Sequence, residues 1–177
     1  MTAGDLLLRP AVAGDIETIQ AIYAHHVTTG LASFEEVPPD IDEIRRRWRA
    51  IADLGLPYIV AVADGRIAGY AYAGPYRPRT AYRFTVEDSI YLDPAFRGRG
   101  IGRSLLSALI EESTRLGKRQ MIAVIGDSAN TASIALHRGL GFADAGVFRA
   151  VGFKFGRWVD SVLMQRPLGP GDAALPE

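Results

Sequence analysis

Hydrophobic and polar positions along the chain alternate in two distinct rhythms, and the rhythm sets each element. Ile16, Ile19, Ile22, Tyr23, His26 and Val27 recur close to a helical period, so a helix opens at Asp15. Thr28 to Val37 reads as a loop. Pro39-Asp40 starts a second helix, where Asp40 and Glu43 fit a capping box. Its core face is Ile41, Ile44, Trp48 and Ile51. Leu6 to Arg9 reads as a short strand. "YIVAVA", the turn Asp64-Gly65 and "RIAGYAYAG" predict a hairpin. "TVEDSIYL" is a further strand. A third helix carries Ile101, Leu105, Leu106, Leu109 and Ile110, and Leu116-Gly117 ends it. "MIAVI" reads as a buried strand, "SANTASIALHRGLGF" as a loop and helix, and "AGVFRAVGFKFGRWVDSVLMQRPL" as two strands. Strands interleaved with helices and adjacent hairpin strands predict an α+β fold, a mixed sheet with helices on both faces. Residues 5–168 are expected to form one domain and 169–177 a disordered tail.

Composition narrows the possibilities. A chain of 177 residues with 48% hydrophobic content can bury a real core. Lys+Arg 20 balances Asp+Glu 20, which argues against a general nucleic-acid binder. With no cysteine, disulfides, thiolate metal sites and cysteine nucleophiles are excluded. The opening "MTAGDLLLRP" is too short to be a signal-peptide core, and no run approaches the ~20 apolar residues that span a bilayer. A cytoplasmic protein without membrane partners is the expectation.

The densest chemical signal is "AFRGRGIGRSLLSALI". Gly98, Gly100 and Gly102 alternate with Arg97, Arg99 and Arg103 just ahead of a helix. Glycines let a backbone approach a ligand closely, and a helix start offers free N–H groups and the positive end of the dipole. Together they suit an anion such as a phosphate. A P-loop would need Lys-Ser/Thr after the last glycine, and a dinucleotide fingerprint would need glycine where Arg103 stands. Downstream, Asn130 and His137 are seven residues apart in "NTASIALHRGLGF" and share a helix face with Ser133 between them.

With both segments in view, the chain resembles the GCN5-related N-acetyltransferase (GNAT) superfamily from about Leu6 to Leu168. "FRGRGIG" is similar to the loop that holds the acyl-CoA pyrophosphate, and "NTASIALHRGLGF" to the segment along the coenzyme A arm. "FTVEDSIYLDP", "ALHRGLGF" and "VGFKFGRWVD" resemble the phosphinothricin/methionine sulfone acetyltransferase branch. The resemblance implies a central, mostly antiparallel sheet flanked by helices. It also implies direct transfer of acetyl from acetyl-CoA, as co-substrate, to an amine without a metal, and a homodimer.

Site roles follow from the same resemblance. Backbone N–H groups of Arg97, Gly98, Arg99, Gly100, Ile101, Gly102 and Arg103 would hold the pyrophosphate, with Asn130 and Ser133 beside the coenzyme. Backbone groups of Ile90, Tyr91 and Leu92 would face the thioester carbonyl, where an N–H stabilises an oxyanion. Glu87 is the candidate base. An α-amine near pKa ~8 lies only about 1.4 kcal/mol from neutrality at pH 7, against about 4.6 for a lysine amine, so a modest base suffices for an amino acid. His137 stands where most of the superfamily has tyrosine; acid, base and coenzyme contact all remain open. Arg77, Arg79 and Arg83 in "YRPRTAYR" are candidates for the acceptor carboxylate, since arginine binds carboxylates bidentately. Phe34 and Phe155 match pocket-region motifs. The expected acceptor is a small amino acid; a polyamine or protein amine, or a non-catalytic acyl-CoA sensor, are the alternatives.

Overall fold

The computed structural model describes residues 6–176. Expectations for residue 5 and residue 177 lie outside the described residues. One seven-stranded sheet runs through the molecule: β1 (Leu7–Pro10), β2 (Tyr58–Ala63), β3 (Arg66–Pro75), β4 (Thr85–Leu92), β5 (Gln120–Gly126), β6 (Ala143–Lys154) and β7 (Arg157–Pro167). Its order is β1-β2-β3-β4-β5-β7-β6. Every pairing is antiparallel except β4 with β5. This is the expected mixed, mostly antiparallel sheet.

Helices cover both faces. On one face lie α1 (Ile16–Thr29) and α2 (Ile41–Asp53). Ile16, Ile19, Ile22, Tyr23 and Val27 of α1 pack with Ile44 of α2 over Tyr58, Val60 and Tyr70 of the sheet. On the other face lies α3 (Ile101–Arg115), whose Leu105, Leu106 and Leu109 pack on Ala61, Ala71, Val86, Met121 and Met164, with α4 (Thr131–Arg138) contributing Ile134 and Leu136. The helical period of each segment thus becomes a single buried stripe.

Local details depart from the sequence expectations in instructive ways. α1 opens at Asp15 as expected, but the Asp15 carboxylate, rather than capping the helix, binds Arg9 at 2.7 and 2.8 Å and accepts from Val12 N–H at 2.8 Å. Asp40 caps α2 by accepting from Glu43 N–H at 2.8 Å, but the Glu43 carboxylate goes to Arg46 and Arg47 rather than back to the cap, so only half the box forms. Ile41, at the first residue of α2, is exposed. α1 also runs two residues into the segment expected as a loop, ending at Thr29. After β7 the chain turns at Leu168 and Pro170, which accept from Gly171 and Ala173 N–H groups.

The site depends on how β4 is held. Its pairing with β3 runs the full length from Pro75↔Val86 to Gly69↔Leu92, whereas its pairing with β5 stops at Asp88↔Ala123. Beyond Asp88 the two parallel strands part, and β5 continues along β7. At the far end of the β3–β4 ladder the backbones pass so closely that only glycine fits at 69: a Cβ there would stand 2.7 Å from Tyr91 O and 2.5 Å from Leu92 Cδ2. Gly69→Ala should therefore cost about 1–3 kcal/mol, read as a fall in thermal midpoint of roughly 2–12 °C for a chain of this size.

Candidate active site

A cleft of ≈ 1060 Å³ opens where β4 and β5 separate. It is walled by the end of α1, the segment after it, both strands, and the starts of α3 and α4.

The backbone of β4 presents its free groups to this cleft in alternation. Asp93 N–H donates to Ala68 O at 2.9 Å and Tyr76 N–H to Thr85 O at 3.4 Å. In an antiparallel ladder, hydrogen-bonded and non-bonded pairs alternate, so odd-numbered residues of β4 point their N–H and C=O at β3. Tyr91 pairs with Tyr70 in this register, and its backbone is used by the sheet. Ile90 and Leu92 point the other way, and past Asp88 no β5 partner meets them. Leu92 O is taken by His26 Nε2 at 2.8 Å; as the carbonyl can only accept, His26 donates. Burial, with Arg97 nearby, pulls the His26 pKa below its ordinary value against the opposing effect of that carbonyl. Of the three residues expected to meet a thioester carbonyl through the backbone, Ile90 and Leu92 have N–H groups turned to the fork.

The glycine-arginine loop forms a half-open cradle. Gly98 and Gly100 have φ of 75° and 80°, in the left-handed region that favours glycine. Gly102 does a different job: it lies in the first turn of α3, buried, within 3.5 Å of Leu92 and Leu136 side-chain positions if a Cβ is added. Ser104 N–H bonds Gly100 O at 3.2 Å, so the N–H groups of Ile101, Gly102 and Arg103 are left open at the helix start. Arg97 N–H, in contrast, is used by Pro94 O at 3.3 Å. Arg99 lies over the Phe96 ring and pairs with Asp64 at 2.7 Å, while Arg103 donates to Gly139 O. The Arg97 side chain lines the cleft. Across the fork, Asn130 caps α4 by accepting from Ser133 N–H at 3.2 Å.

Glu87 and His137 reach the cleft from opposite faces of β4. Glu87 shares the α1/α2 face with Ser89 and Tyr91, opposite Gly74. Burial, and then the neighbouring Asp88 charge, push the Glu87 carboxyl above the usual range, with Arg77 acting in the opposite sense. His137 is buried at 4% exposure against the other face. Its Nδ1 lies 2.7 Å from Ser133 O and its Nε2 3.0 Å from Asp88 Oδ2. Burial by itself lowers the His137 pKa, but the hydrogen bond and charge of Asp88, aided by Ser133 O, outweigh it and leave the pKa raised.

The remaining candidates divide. Phe34 lines the cleft. Arg77, Arg79, Arg83 and Phe155 are not brought to it. Arg77 stacks on Tyr76 at 5.1 Å and Arg83 on Phe84 at 4.5 Å, so these guanidinium groups are engaged by aromatic faces of their own loop. Arg79 precedes the short helical turn Thr80–Tyr82. Phe155 sits at φ 51° in the β6–β7 turn, 57% exposed.

Sequence reasoning missed three residues. Asp88 was hidden beside Glu87, although its opposite parity on the strand is a signal that it faces α4. Glu35 lines the cleft, held by Arg47 at 2.6 Å and Tyr23 OH at 2.9 Å. Lys154, 1% exposed, donates from Nζ to Gly30 O at 3.0 Å and Ser33 O at 2.7 Å, fixing the segment that carries Phe34 and Glu35. Burial lowers the Lys154 pKa. Among the described residues no group of His, Asp and Glu could hold a metal ion, and no helix is long and apolar enough to cross a membrane.

This geometry meets its relatives at family level. The Acetyltransferase (GNAT) family model matches residues 19–142, and the chain belongs to that family. More particularly, it is 60% identical over 163 residues to a phosphinothricin N-acetyltransferase of Alcaligenes faecalis, covering 92% of this chain and 83% of the relative. It is 41% identical over 163 residues to an L-methionine sulfoximine/L-methionine sulfone acetyltransferase of Salmonella typhimurium, covering 92% and 95%. The crystal structure of a phosphinothricin acetyltransferase from Sinorhizobium meliloti in complex with acetyl-CoA superposes with a TM-score of 0.95 at 53% identity, covering 100% of this chain and 94% of that one.

Lys154→Met should leave one buried and one half-buried carbonyl unpaired, at about 1–3 kcal/mol each. Thermal unfolding should show a loss of roughly 5–20 °C, and Lys154→Arg a smaller one.

Proposed function

We propose that the chain moves acetyl from acetyl-CoA to the α-amine of a small amino acid such as phosphinothricin, L-methionine sulfoximine or L-methionine sulfone. The fork of β4 and β5 carries this reading. It leaves backbone donors turned into a cleft whose mouth holds the glycine-arginine helix start and whose floor holds two proton-handling side chains. The relatives named above act on these amino acids.

In this reading the open N–H groups from Gly98 to Arg103 and the α3 dipole hold the pyrophosphate, with Asn130 and Ser133 beside the coenzyme arm. Ile90 N–H faces the thioester carbonyl and stabilises the charge that develops there. Glu87 removes the proton from the amine as it attacks. A carboxyl whose pKa is raised is a better match to an amine than an ordinary one. The segment fixed by Lys154 places Phe34 and Glu35 on the acceptor side.

One observation favours the alternative acceptor. Glu35, Glu87 and Asp88 line the cleft whereas Arg77, Arg79 and Arg83 do not, which suits a cationic polyamine better than the loop's composition suggests. Release of coenzyme A thiol with the three amino acids, spermidine and a lysine peptide separates the readings. Higher kcat/KM for the amino acids is expected; a tenfold preference for the polyamine or peptide would overturn the amino-acid assignment.

The homodimer belongs to this reading too. β6 is an outer strand, and Phe148, Val151 and Phe153 on it, with Trp158 of β7, are exposed. An apolar edge of this kind suits burial against a second copy.

Glu87→Gln should lower kcat/KM most at low pH and least above the amine pKa, where solvent has already removed the proton. The raised Glu87 pKa places the wild-type acid limb above that of an ordinary carboxylate. A uniform loss across pH would make Glu87 a positioning group.

A further inference from the structure

The buried contact between α4 and β4 fixes more than a helix. Ser133 O can only accept, so the His137 Nδ1 facing it at 2.7 Å carries a hydrogen. A neutral imidazole has one N–H, and here it is already committed. Alone, His137 would turn a bare acceptor nitrogen, Nε2, toward the site and could donate nothing to a leaving group. Nε2 instead lies 3.0 Å from Asp88 Oδ2. Two acceptors cannot make that contact without a proton between them, so the pair holds a second proton.

Asp88 is placed for this and for little else. It is the last residue of β4 paired with β5, and so stands at the point of the fork, one same-face step of about 6–7 Å from Ile90. Its side chain is 3% exposed. Its other oxygen, Oδ1, is buried without a hydrogen-bond partner among the described residues. A carboxylate serving only to pin α4 would be expected to have both oxygens satisfied, because an unpartnered buried charge is costly. The other charges nearby do not replace it. Glu87 adjoins Asp88 on the opposite face of β4, and Arg138 on α4 is engaged by Asp144 at 2.9 Å. β5 offers Ala123 and Ile125 to this region, and Phe142 covers the ring edge-on at 5.0 Å.

We propose that Asp88 is the positioning residue that keeps a second proton on His137, so that the pair supplies the proton taken up by the departing coenzyme A thiolate. This rests on the acetyl-transfer reading above. The carbon–sulfur bond of the thioester breaks with its electron pair going to sulfur, and the amide carbon–nitrogen bond forms. The proton shared by Nε2 and Oδ2 passes to sulfur, giving the thiol. The pair is left as a carboxylate beside a neutral imidazole whose hydrogen stays on Nδ1. The amine proton leaves separately through Glu87, and solvent restores the shared one.

The test is Asp88→Asn, which keeps shape and can donate from its amide to Nε2 but carries no exchangeable acid proton. Nitrogen-15 spectra of the imidazoles in the free enzyme, with His137→Gln to assign the signal, should show both His137 nitrogens in proton-bearing or proton-sharing states in the wild type near pH 7. In Asp88→Asn the spectrum should show an unprotonated Nε2. The variant's kcat with saturating amine should fall about 10²-fold, its alkaline limb should move down by about one pH unit, and acetyl-CoA affinity should hold within about twofold. Unchanged kcat and pH profile would reduce Asp88 to a helix anchor. A wild-type spectrum showing a neutral His137 with free Nε2 would overturn the proposal whether or not the variant folds. A wild type that transfers no acetyl group to any amine would instead sink the functional reading, leaving the proton count of the pair to the spectra.

Discussion

The separation of β4 from β5 after Asp88 is the constraint on which the rest of the site depends. Two parallel strands that stayed paired would consume each other's backbone groups and leave no room for a ligand. Here β4 is held by β3 along its full length and β5 by β7 along its full length, so each strand is stable without the other. The parting costs only a few cross-strand hydrogen bonds, and donors such as Ile90 N–H are turned into a space enclosed by two helix starts. Gly69 matters for the same reason, since it lets β3 hold β4 closely where β5 no longer does.

Around the fork, polar groups are buried in pairs that fix the walls rather than stabilise the core broadly. His26 ties α1 to Leu92 O, Lys154 ties the β6–β7 hairpin to Gly30 and Ser33, and His137 ties α4 to Asp88. Each contact joins an element on one side of the cleft to a segment that would otherwise be free to move. On the α1/α2 face the floor is aromatic: Tyr58 stacks on Tyr72 at 4.9 Å, and Tyr91 meets Tyr23 edge-on at 5.0 Å. Rigid rings hold Glu87 on a surface that disfavours its charge, which raises its pKa.

Much of this was legible in the sequence because it is local. The period of α1 and α3, the Asp64-Gly65 hairpin and the positive-φ glycines before α3 are decided by neighbours along the chain. Glu87, Asn130, Ser133 and Phe34, singled out by the motifs, all line the cleft. The candidates not brought to the cleft, and the residues the motifs did not mark, answer to other contacts. Arg77 and Arg83 carry charges that suit a carboxylate, but aromatic neighbours two or fewer positions away capture them first. Phe155 occupies a turn whose backbone points it outward. The Asp88 partner of His137 and both partners of Lys154 lie 49 and 121 or more positions away, so no spacing rule reveals them. For Asp88 the strand parity gave the face; the contact with His137 on that face was not legible.

Amide hydrogen exchange with and without acetyl-CoA tests the fork most directly. Tyr91 N–H, engaged by β3, should exchange slowly in both states. Ile90 N–H and the amides from Gly98 to Arg103 should be open in the free protein and slow markedly when acetyl-CoA binds. Protection that bypasses Ile90 and the loop, or that appears only on the β6–β7 hairpin, would contradict a cleft built on the parting of β4 and β5.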